Sequence, residues 1–149
     1  YWMKDLDLKD IKYIGADIVP DLIKKNTKVF AENNINFKIL DLTSDRLPYS
    51  DLIFCRDCLV HLSFEDIFKA LENIKQTKSK YFMTTNFLFK GNNHNIATGY
   101  WRTINLCKPP FNFNSPIENI LENCSEGKDN EFADKALSIW EVKSIPNYK

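Results

Sequence analysis

Two aspartates follow β-prone segments at equivalent places along the chain. Asp17 ends the segment 12–17, and Asp41 follows the segment 37–40. In open α/β sheets, ligands bind beyond the carboxyl ends of the strands, where an acid can accept hydrogen bonds from ribose hydroxyls. An acid in the second position could accept a hydrogen bond from an exocyclic amine while Leu42 packs on a purine. The pair favours a ligand with ribose and a purine, although a turn is as common a role for each aspartate alone.

A second group of polar residues follows the apolar segment 51–55. Cys55 and Cys58, with His61 close by, suggest a metal or redox site. Structural zinc needs a fourth ligand, and His94 and the other two cysteines each stand alone, so we expect no metal. Buried thiols more often act as small hydrophobic side chains. His61 could be a general base near an acceptor hydroxyl, but a hydrogen bond at the start of a helix is the commoner role.

Aromatic, amide, glycine and proline residues crowd the stretch from about 87 to 116, which we interpret as an insertion. Aromatic rings beside a guanidinium suit stacking on a sugar or another planar acceptor. We therefore expect Trp101, Arg102 and Phe111 to bind the acceptor. The alternative is that these aromatic residues only cover the end of a sheet.

Strands and helices that could hold these residues alternate along the chain. Pro20 opens a helical stretch, and Ser63 resembles a helix cap before apolar residues at helical spacing, which predicts a helix over residues 64–76. The apolar run at 51–55 is typical of a strand buried on both faces. The predicted strands are 12–17, 37–40, 51–55 and 81–85, with a terminal antiparallel hairpin of 117–124 and 136–142. This alternation predicts an α/β fold with a mostly parallel sheet and flanking helices.

The composition limits what the chain can do. Its 149 residues suffice for one hydrophobic core, and a hydrophobic share of 44% excludes a disordered chain. Twenty basic and twenty acidic residues give a net charge of zero, which argues against nucleic acid as a partner. The four glycines lie too far apart for a G-x-G-x-x-G or phosphate loop. Since no apolar stretch approaches the roughly 20 residues that span a bilayer and no secretory signal is seen, we expect a cytoplasmic location with reduced thiols.

From about residue 13 to residue 85 the sequence resembles the class I S-adenosylmethionine-dependent methyltransferases, which have a Rossmann-like fold. The likeness rests on three ordered motifs, namely Y-I-G-A-D-I at 13–18, D-L-T-S-D-R-L-P-Y-S-D-L-I-F-C-R-D at 41–57 and L-V-H-L-S at 59–63. The resemblance implies S-adenosylmethionine as the cofactor. It also implies transfer of a sulfonium methyl group to a small-molecule or saccharide acceptor held in line.

The resemblance also implies roles for individual residues. At the nucleoside end, Asp17 would hold the ribose, Ile18 would line the adenine pocket, and Asp41 with Leu42 would recognise the adenine edge. Cys55, Arg56 and Asp57 would border the methionine end and the acceptor. Of these, Arg56 and Asp57 join His61 as candidate catalytic residues.

The sequence departs from this family at one place. The family's first strand and glycine-rich turn should precede Tyr13, and neither is recognisable there. In the family that strand lies between those expected here at 12–17 and 51–55, so both would have an unpaired inner edge unless another segment or chain fills the gap. We therefore expect a single, N-terminally truncated domain over residues 1–149 that self-associates. The alternatives are a non-catalytic remnant or partner module and a nicotinamide-dependent oxidoreductase.

Overall fold

The computed structural model describes residues 6–148. Two short 3-10 helices, Leu59–His61 and Val142–Ser144, accompany the α-helices and strands in that range. The α-helices and strands in chain order are β1 (Tyr13–Asp17), α1 (Pro20–Phe30), β2 (Ile35–Ile39), β3 (Leu52–Cys55), α2 (Phe64–Gln76), β4 (Tyr81–Phe87), β5 (Glu118–Leu121) and β6 (Lys135–Glu141). The alternation of strands and helices confirms the predicted α/β class. None of the helices in residues 6–148 is long and apolar enough to cross a membrane.

The described strands form two sheets. In the first, β1 and β2 run parallel, with Tyr13 opposite Ile35 and Asp17 opposite Ile39. The second has the order β3-β4-β6-β5, in which β3 and β4 are parallel and β6 is antiparallel to both its neighbours. The predicted C-terminal hairpin is therefore confirmed as β5 and β6. The sequence did not indicate that β6 would lie between β4 and β5.

The chain divides into two compact units, one ending at Asp45 and the other beginning at Arg46. The two-stranded sheet belongs to the first and the four-stranded sheet to the second. Within residues 6–148, β1 pairs only with β2 and β3 pairs only with β4, so each has one edge without a strand partner. We expected an unpaired edge on each of these two strands, and the structure agrees. The expectation of a single truncated domain over residues 1–149 stays a prediction.

Strand β3 is less buried than its sequence suggested. Leu52 is 42% exposed, Ile53 and Phe54 are half-buried, and Cys55 is buried. The expectation of a strand buried on both faces was wrong, because β3 lies at the edge of its sheet. An apolar run of this length does not distinguish a central strand from an edge strand.

Helix α2 agrees with its sequence prediction. The Ser63 hydroxyl accepts a hydrogen bond from the Asp66 N–H at 3.2 Å, which confirms the cap, and the helix spans the predicted residues. Its buried side chains are Ile67, Ala70, Leu71 and Ile74. Helix α1 begins with Pro20 as predicted, but its N-cap residue Val19 provides no side-chain hydrogen bond and Ile23 is its one buried residue.

The segment between β4 and β5 contains no helix or strand and is held together by side-chain amides. The Asn93 amide donates hydrogen bonds to the carbonyls of Asn105 and Pro109, both at 2.8 Å. The Asn105 N–H donates to Asn93 Oδ1 and the Leu106 N–H donates to Asn86 Oδ1, also at 2.8 Å. These bonds satisfy backbone groups that a strand ladder would otherwise pair.

Candidate functional site

The first predicted pair of acids lies at the carboxyl edge of the β1-β2 sheet. Asp17 is the last residue of β1, and its carbonyl accepts a hydrogen bond from the Leu40 N–H at 3.1 Å. Asp41 comes directly after Leu40 and lies just beyond the end of β2, so the two acids are at the carboxyl ends of neighbouring parallel strands. Parallel pairing and the two strand ends therefore bring Asp17, Ile18, Asp41 and Leu42 to one end of the sheet.

Both acids also make the contacts of turn residues. Asp17 Oδ1 accepts a hydrogen bond from the Val19 N–H at 2.9 Å. Asp41 Oδ1 accepts from the N–H and the hydroxyl of Thr43, at 2.8 and 2.7 Å. Such bonds fix the direction of each carboxylate before a ligand arrives. Ile18 is 65% exposed next to them, so its side chain is accessible to a ligand. The cofactor roles of these residues stay predictions.

Cys55 ends β3 and is buried in the second unit. Its carbonyl accepts a hydrogen bond from the Thr84 hydroxyl at 2.7 Å. A hydrogen bond with Cys58 and burial raise the pKa of the Cys55 thiol well above its usual value. A protonated thiol is a poor metal ligand and a poor nucleophile. Among the described residues, no group of three or more His, Cys, Asp or Glu is arranged to hold a metal.

Four charged side chains meet just beyond β3, and we call Arg56, Asp57, Glu122 and Lys135 the ion cluster. Arg56 Nε donates to Glu122 Oε1 at 2.5 Å, and Arg56 Nη1 lies 3.5 Å from Asp57 Oδ2. The Lys135 ammonium lies 2.8 Å from Asp57 Oδ1 and 2.9 Å from Asp57 Oδ2. The structure thus ties both candidate catalytic residues after β3 into ion pairs.

The charges of the ion cluster shift the pKa values of its cations. The hydrogen bond from Arg56 to Glu122 raises the pKa of Arg56. Burial lowers the pKa of Lys135, but its hydrogen bond with Asp57 and the charges of Asp57 and Glu122 more than offset burial, so the net pKa is raised. Both side chains are therefore cationic at neutral pH.

Sequence reasoning missed Glu122 and Lys135. They lie 66 residues from Arg56 and 78 residues from Asp57 respectively. The pairing of Lys135 with Phe87 at the carboxyl end of β4 places Lys135 near the end of β3. The sequence did not show that β6 would pair antiparallel with β4, and this pairing is what brings Lys135 close to the end of β3.

His61 ends a 3-10 helix and is exposed. Its Nδ1 lies 3.0 Å from the Tyr100 carbonyl oxygen, and its own carbonyl accepts from the Gly99 N–H at 2.8 Å. Because a carbonyl oxygen only accepts, Nδ1 carries the proton in the neutral ring and Nε2 carries the lone pair. The geometry is compatible with both sequence-based roles, a structural hydrogen bond through Nδ1 and a base at Nε2.

The three predicted acceptor residues have different environments. Trp101 is 47% exposed, and its ring packs edge-on against Phe132 with centroids 5.2 Å apart. Arg102 is buried and donates to the carbonyls of Leu59 and Leu62 at 2.9 and 2.8 Å. Burial lowers the pKa of Arg102 to about 10.

Phe111 is fully buried and packs edge-on against Phe64 with ring centroids 5.2 Å apart. Arg102 and Phe111 are therefore part of the packed interior. Their binding role stays a prediction that this burial disfavours, whereas the exposure of Trp101 suits it. Phe132, which sequence reasoning overlooked, supports the Trp101 ring.

No protein-family model matches the sequence, and no curated protein matches it. Among solved structures, PigF with SAH aligns with a TM-score of 0.54 at 15% identity, over 94% of this chain and 53% of that chain. Human N-acetylserotonin methyltransferase in complex with SAM aligns at 0.44 and 17% identity, over 59% of this chain and 33% of that one. Magnesium protoporphyrin IX methyltransferase from Synechocystis PCC 6803 with bound SAM aligns at 0.42 and 20% identity, over 55% and 41% respectively.

The chain thus spans from about a third to about half of these structures. The alignment with PigF carries the argument because it covers nearly the whole chain. At 15% identity this alignment supports a conclusion about the fold alone. Together with the observed alternation of strands and helices, it shows that this chain has a mixed α/β, Rossmann-like fold similar to that of PigF.

Proposed function

We propose that this chain is part of an enzyme that transfers a methyl group from S-adenosylmethionine to a small-molecule or saccharide acceptor. One observation carries the proposal. Asp17 ends β1 and Asp41 lies just beyond β2, at the carboxyl ends of two parallel strands, in a chain whose fold is like that of PigF with SAH. Acids at the carboxyl ends of parallel strands are suited to bind a nucleoside.

The residues at this edge fit the nucleoside end of such a cofactor. A carboxylate has about four acceptor positions, and Asp17 Oδ1 uses one of them for the Val19 N–H. Asp17 therefore retains capacity for ribose hydroxyls. Ile18 offers an exposed apolar side chain to the adenine, and Asp41 with Leu42 would recognise its edge.

The family resemblance assigns other residues to the methionine end and the acceptor. When bound, the cofactor supplies the sulfonium methyl group that is transferred. Arg56 and Asp57 would border the methionine end and the acceptor, and Cys55 would close the strand end behind them. His61 Nε2 would take the proton of an acceptor hydroxyl, and Trp101 would stack on the acceptor. Holding the reactants in line supplies much of the rate.

Two further observations support the proposed cellular location and the proposed class of acceptor. Cys55, Cys58, Cys107 and Cys124 are all free thiols. Free thiols suit a reducing compartment, which supports the proposed cytoplasmic location. A zero net charge supports a small acceptor in preference to nucleic acid.

A second candidate function is a non-catalytic module that associates with another chain. Strands β1 and β3 each pair on one side only within residues 6–148, and an unpaired strand edge is a template for another strand. No comparable observation favours a nicotinamide-dependent oxidoreductase.

Calorimetric titration with S-adenosylhomocysteine separates the two candidates. The methyltransferase proposal expects a dissociation constant in the range of about 1–100 μM, a binding free energy of roughly 5–8 kcal/mol. Heat that is absent up to millimolar ligand, from a chain shown to be folded by circular dichroism, would reject the enzyme and favour the module.

A further inference from the structure

We propose that Lys135 is a positioning residue for the acceptor side of the site, acting through the Asp57 carboxylate. The inference rests on the proposed function, because it assigns a role within the same site. Lys135 comes from the C-terminal hairpin, far from the motifs that suggested a cofactor. The hairpin would thereby help to form the site, in addition to completing the sheet.

The register of the sheet explains how Lys135 reaches Asp57. Lys135 begins β6 and lies opposite Phe87, the last residue of β4. Strand β4 separates β6 from β3, and Asp57 follows the end of β3. The long lysine side chain crosses the end of β4 and places its ammonium against both oxygens of Asp57, at 2.8 and 2.9 Å.

Burial makes this ammonium depend on its carboxylates. The Lys135 side chain is 11% exposed, and a cation removed from water is destabilising unless it is paired. Its second neighbour is Glu122 Oε2 at 3.6 Å, a buried oxygen with no hydrogen bond. Glu122 in turn holds Arg56 through its other oxygen at 2.5 Å. Two cations and two carboxylates thus neutralise one another, and the position of each depends on the others.

The backbone of Asp57 is also held by a neighbouring side chain. Its φ angle is 51°, in the left-handed region that aspartate adopts more readily than most residues with a side chain. The Asp57 N–H donates to the Thr85 hydroxyl at 2.8 Å, and that hydroxyl lies 3.3 Å from Asp57 Oδ1. The Thr85 hydroxyl thus holds the backbone N–H of Asp57, and the Lys135 ammonium holds its carboxylate. This fixation is what a residue bordering a reacting group requires.

A double-mutant cycle read by S-adenosylhomocysteine affinity tests the role. We expect Lys135→Met and Asp57→Asn each to weaken binding about tenfold, and the double variant to be no weaker than about tenfold, because Lys135 acts through Asp57. Lys135→Arg, which keeps the cation, should bind within about threefold of the wild type. Lys69→Met serves as the control, since it removes an exposed lysine that pairs with Glu65 and Asp66 on α2.

Binding is measured below the melting temperature of every variant, so that loss of fold is not read as loss of affinity. If Lys135→Met does not fold, Lys135→Gln replaces it in the cycle. Unchanged affinity in the neutral variant, or a double variant about a hundredfold weaker, overturns the positioning role. Equal loss in Lys69→Met overturns it as well.

A second measurement needs no ligand. We expect the NMR titration of the Lys135 ammonium to show a lower pKa in Asp57→Asn than in the wild type, because the bond to Asp57 raises it. A wild type that shows this coupling but no affinity for S-adenosylhomocysteine refutes the proposed function and, with it, the role inferred for Lys135. A wild type that binds the ligand while Lys135→Met binds equally well refutes the role of Lys135 alone.

Discussion

The two compact units differ in how much apolar surface they bury. Among residues 6–45, Ile23 is the one buried hydrophobic side chain, while Ile18, Val29 and Ile39 are more than half exposed. From Arg46 onward, α2, β4 and β6 enclose a core that includes Trp140 and Phe82. Burial of apolar surface is the main favourable term in folding, so the first unit has much less intrinsic support. The acids proposed to bind the nucleoside are therefore carried by the region that buries less apolar surface.

This difference suits binding at the first unit. Segments that bind ligands are commonly drawn from the less stable parts of a protein. The ion cluster, in contrast, lies on the unit with a substantial core, where its geometry can be held before a ligand arrives. We therefore expect ligand binding to order the first unit more than the second.

The largest expected contrast is in amide exchange. The amides of β1, residues 13–16, should exchange close to the unprotected rate, whereas those of β4, residues 82–86, should be protected by the global stability of about 5–15 kcal/mol.

The chain should also self-associate in sedimentation experiments through the open edges of β1 and β3. A monomeric chain with slow exchange at β1 contradicts this expectation.

Core substitutions should show the same asymmetry. Leu71 on α2 is fully buried, so Leu71→Ala should lower the free energy of unfolding by about 2–5 kcal/mol. Leu22 on α1 is 41% exposed, and Leu22→Ala should lower it by less than about 1 kcal/mol. Urea titration of both variants provides the comparison. Equal losses would mean that α1 packs as tightly as α2.

Asp17→Ala tests the ligand edge of the first unit. We expect it to weaken S-adenosylhomocysteine binding by about 1.5–3 kcal/mol, the range for losing a charged hydrogen-bond acceptor, with little change in melting temperature. Asp10→Ala is a matched control, because Asp10 is exposed and precedes β1 at its opposite end. Binding that survives Asp17→Ala unchanged removes Asp17 from the site.

The parts of the fold that depend on local sequence could be predicted. The apolar spacing and Ser63 cap located α2, and the β-prone segments located the strands to within a few residues. Sheet order could not be read in this way, because strand pairing joins residues that are distant along the chain. For the same reason the motifs pointed to Arg56 and Asp57, while their partners Glu122 and Lys135 went unnoticed.

The aromatic insertion shows a second limit of the sequence. Composition alone suggested that Trp101, Arg102 and Phe111 share one role, but the structure exposes the first and buries the other two. A guanidinium can bind an acceptor or neighbouring backbone carbonyls equally well. Which of them lies within reach depends on packing that composition does not record.

Helix capping offers a smaller test of the contrast between units. Ser63→Ala should lower the free energy of unfolding by about 1 kcal/mol, because the Asp66 N–H loses its acceptor. Val19→Ala at the N-cap position of α1 removes no capping bond and should change stability by less than about 0.5 kcal/mol. Thermal melts of the two variants, followed by circular dichroism, suffice. A melting temperature that Ser63→Ala leaves unaltered would contradict the capping role assigned to that hydroxyl.

The smallest expected effect is a pH dependence at the start of α2. The Thr98 hydroxyl donates to the Asp66 carboxylate, and this bond, with those from Lys69 and Ser63, lowers the pKa of Asp66. A lowered folded-state pKa stabilises the protein above the unfolded-state value, near 3.8, and that stabilisation is lost as the pH falls through the folded value. Thr98→Val should therefore reduce the free energy of unfolding at pH 7 by less than about 1 kcal/mol, since Asp66 lies at the surface. The difference between wild type and Thr98→Val should shrink as the pH falls below 3.8, because protonation weakens the same bond in the wild type. Urea titrations of both proteins at a series of pH values measure it. A difference that stays constant down to the acid limit would mean that the Thr98 hydroxyl stabilises α2 without favouring the charged carboxylate.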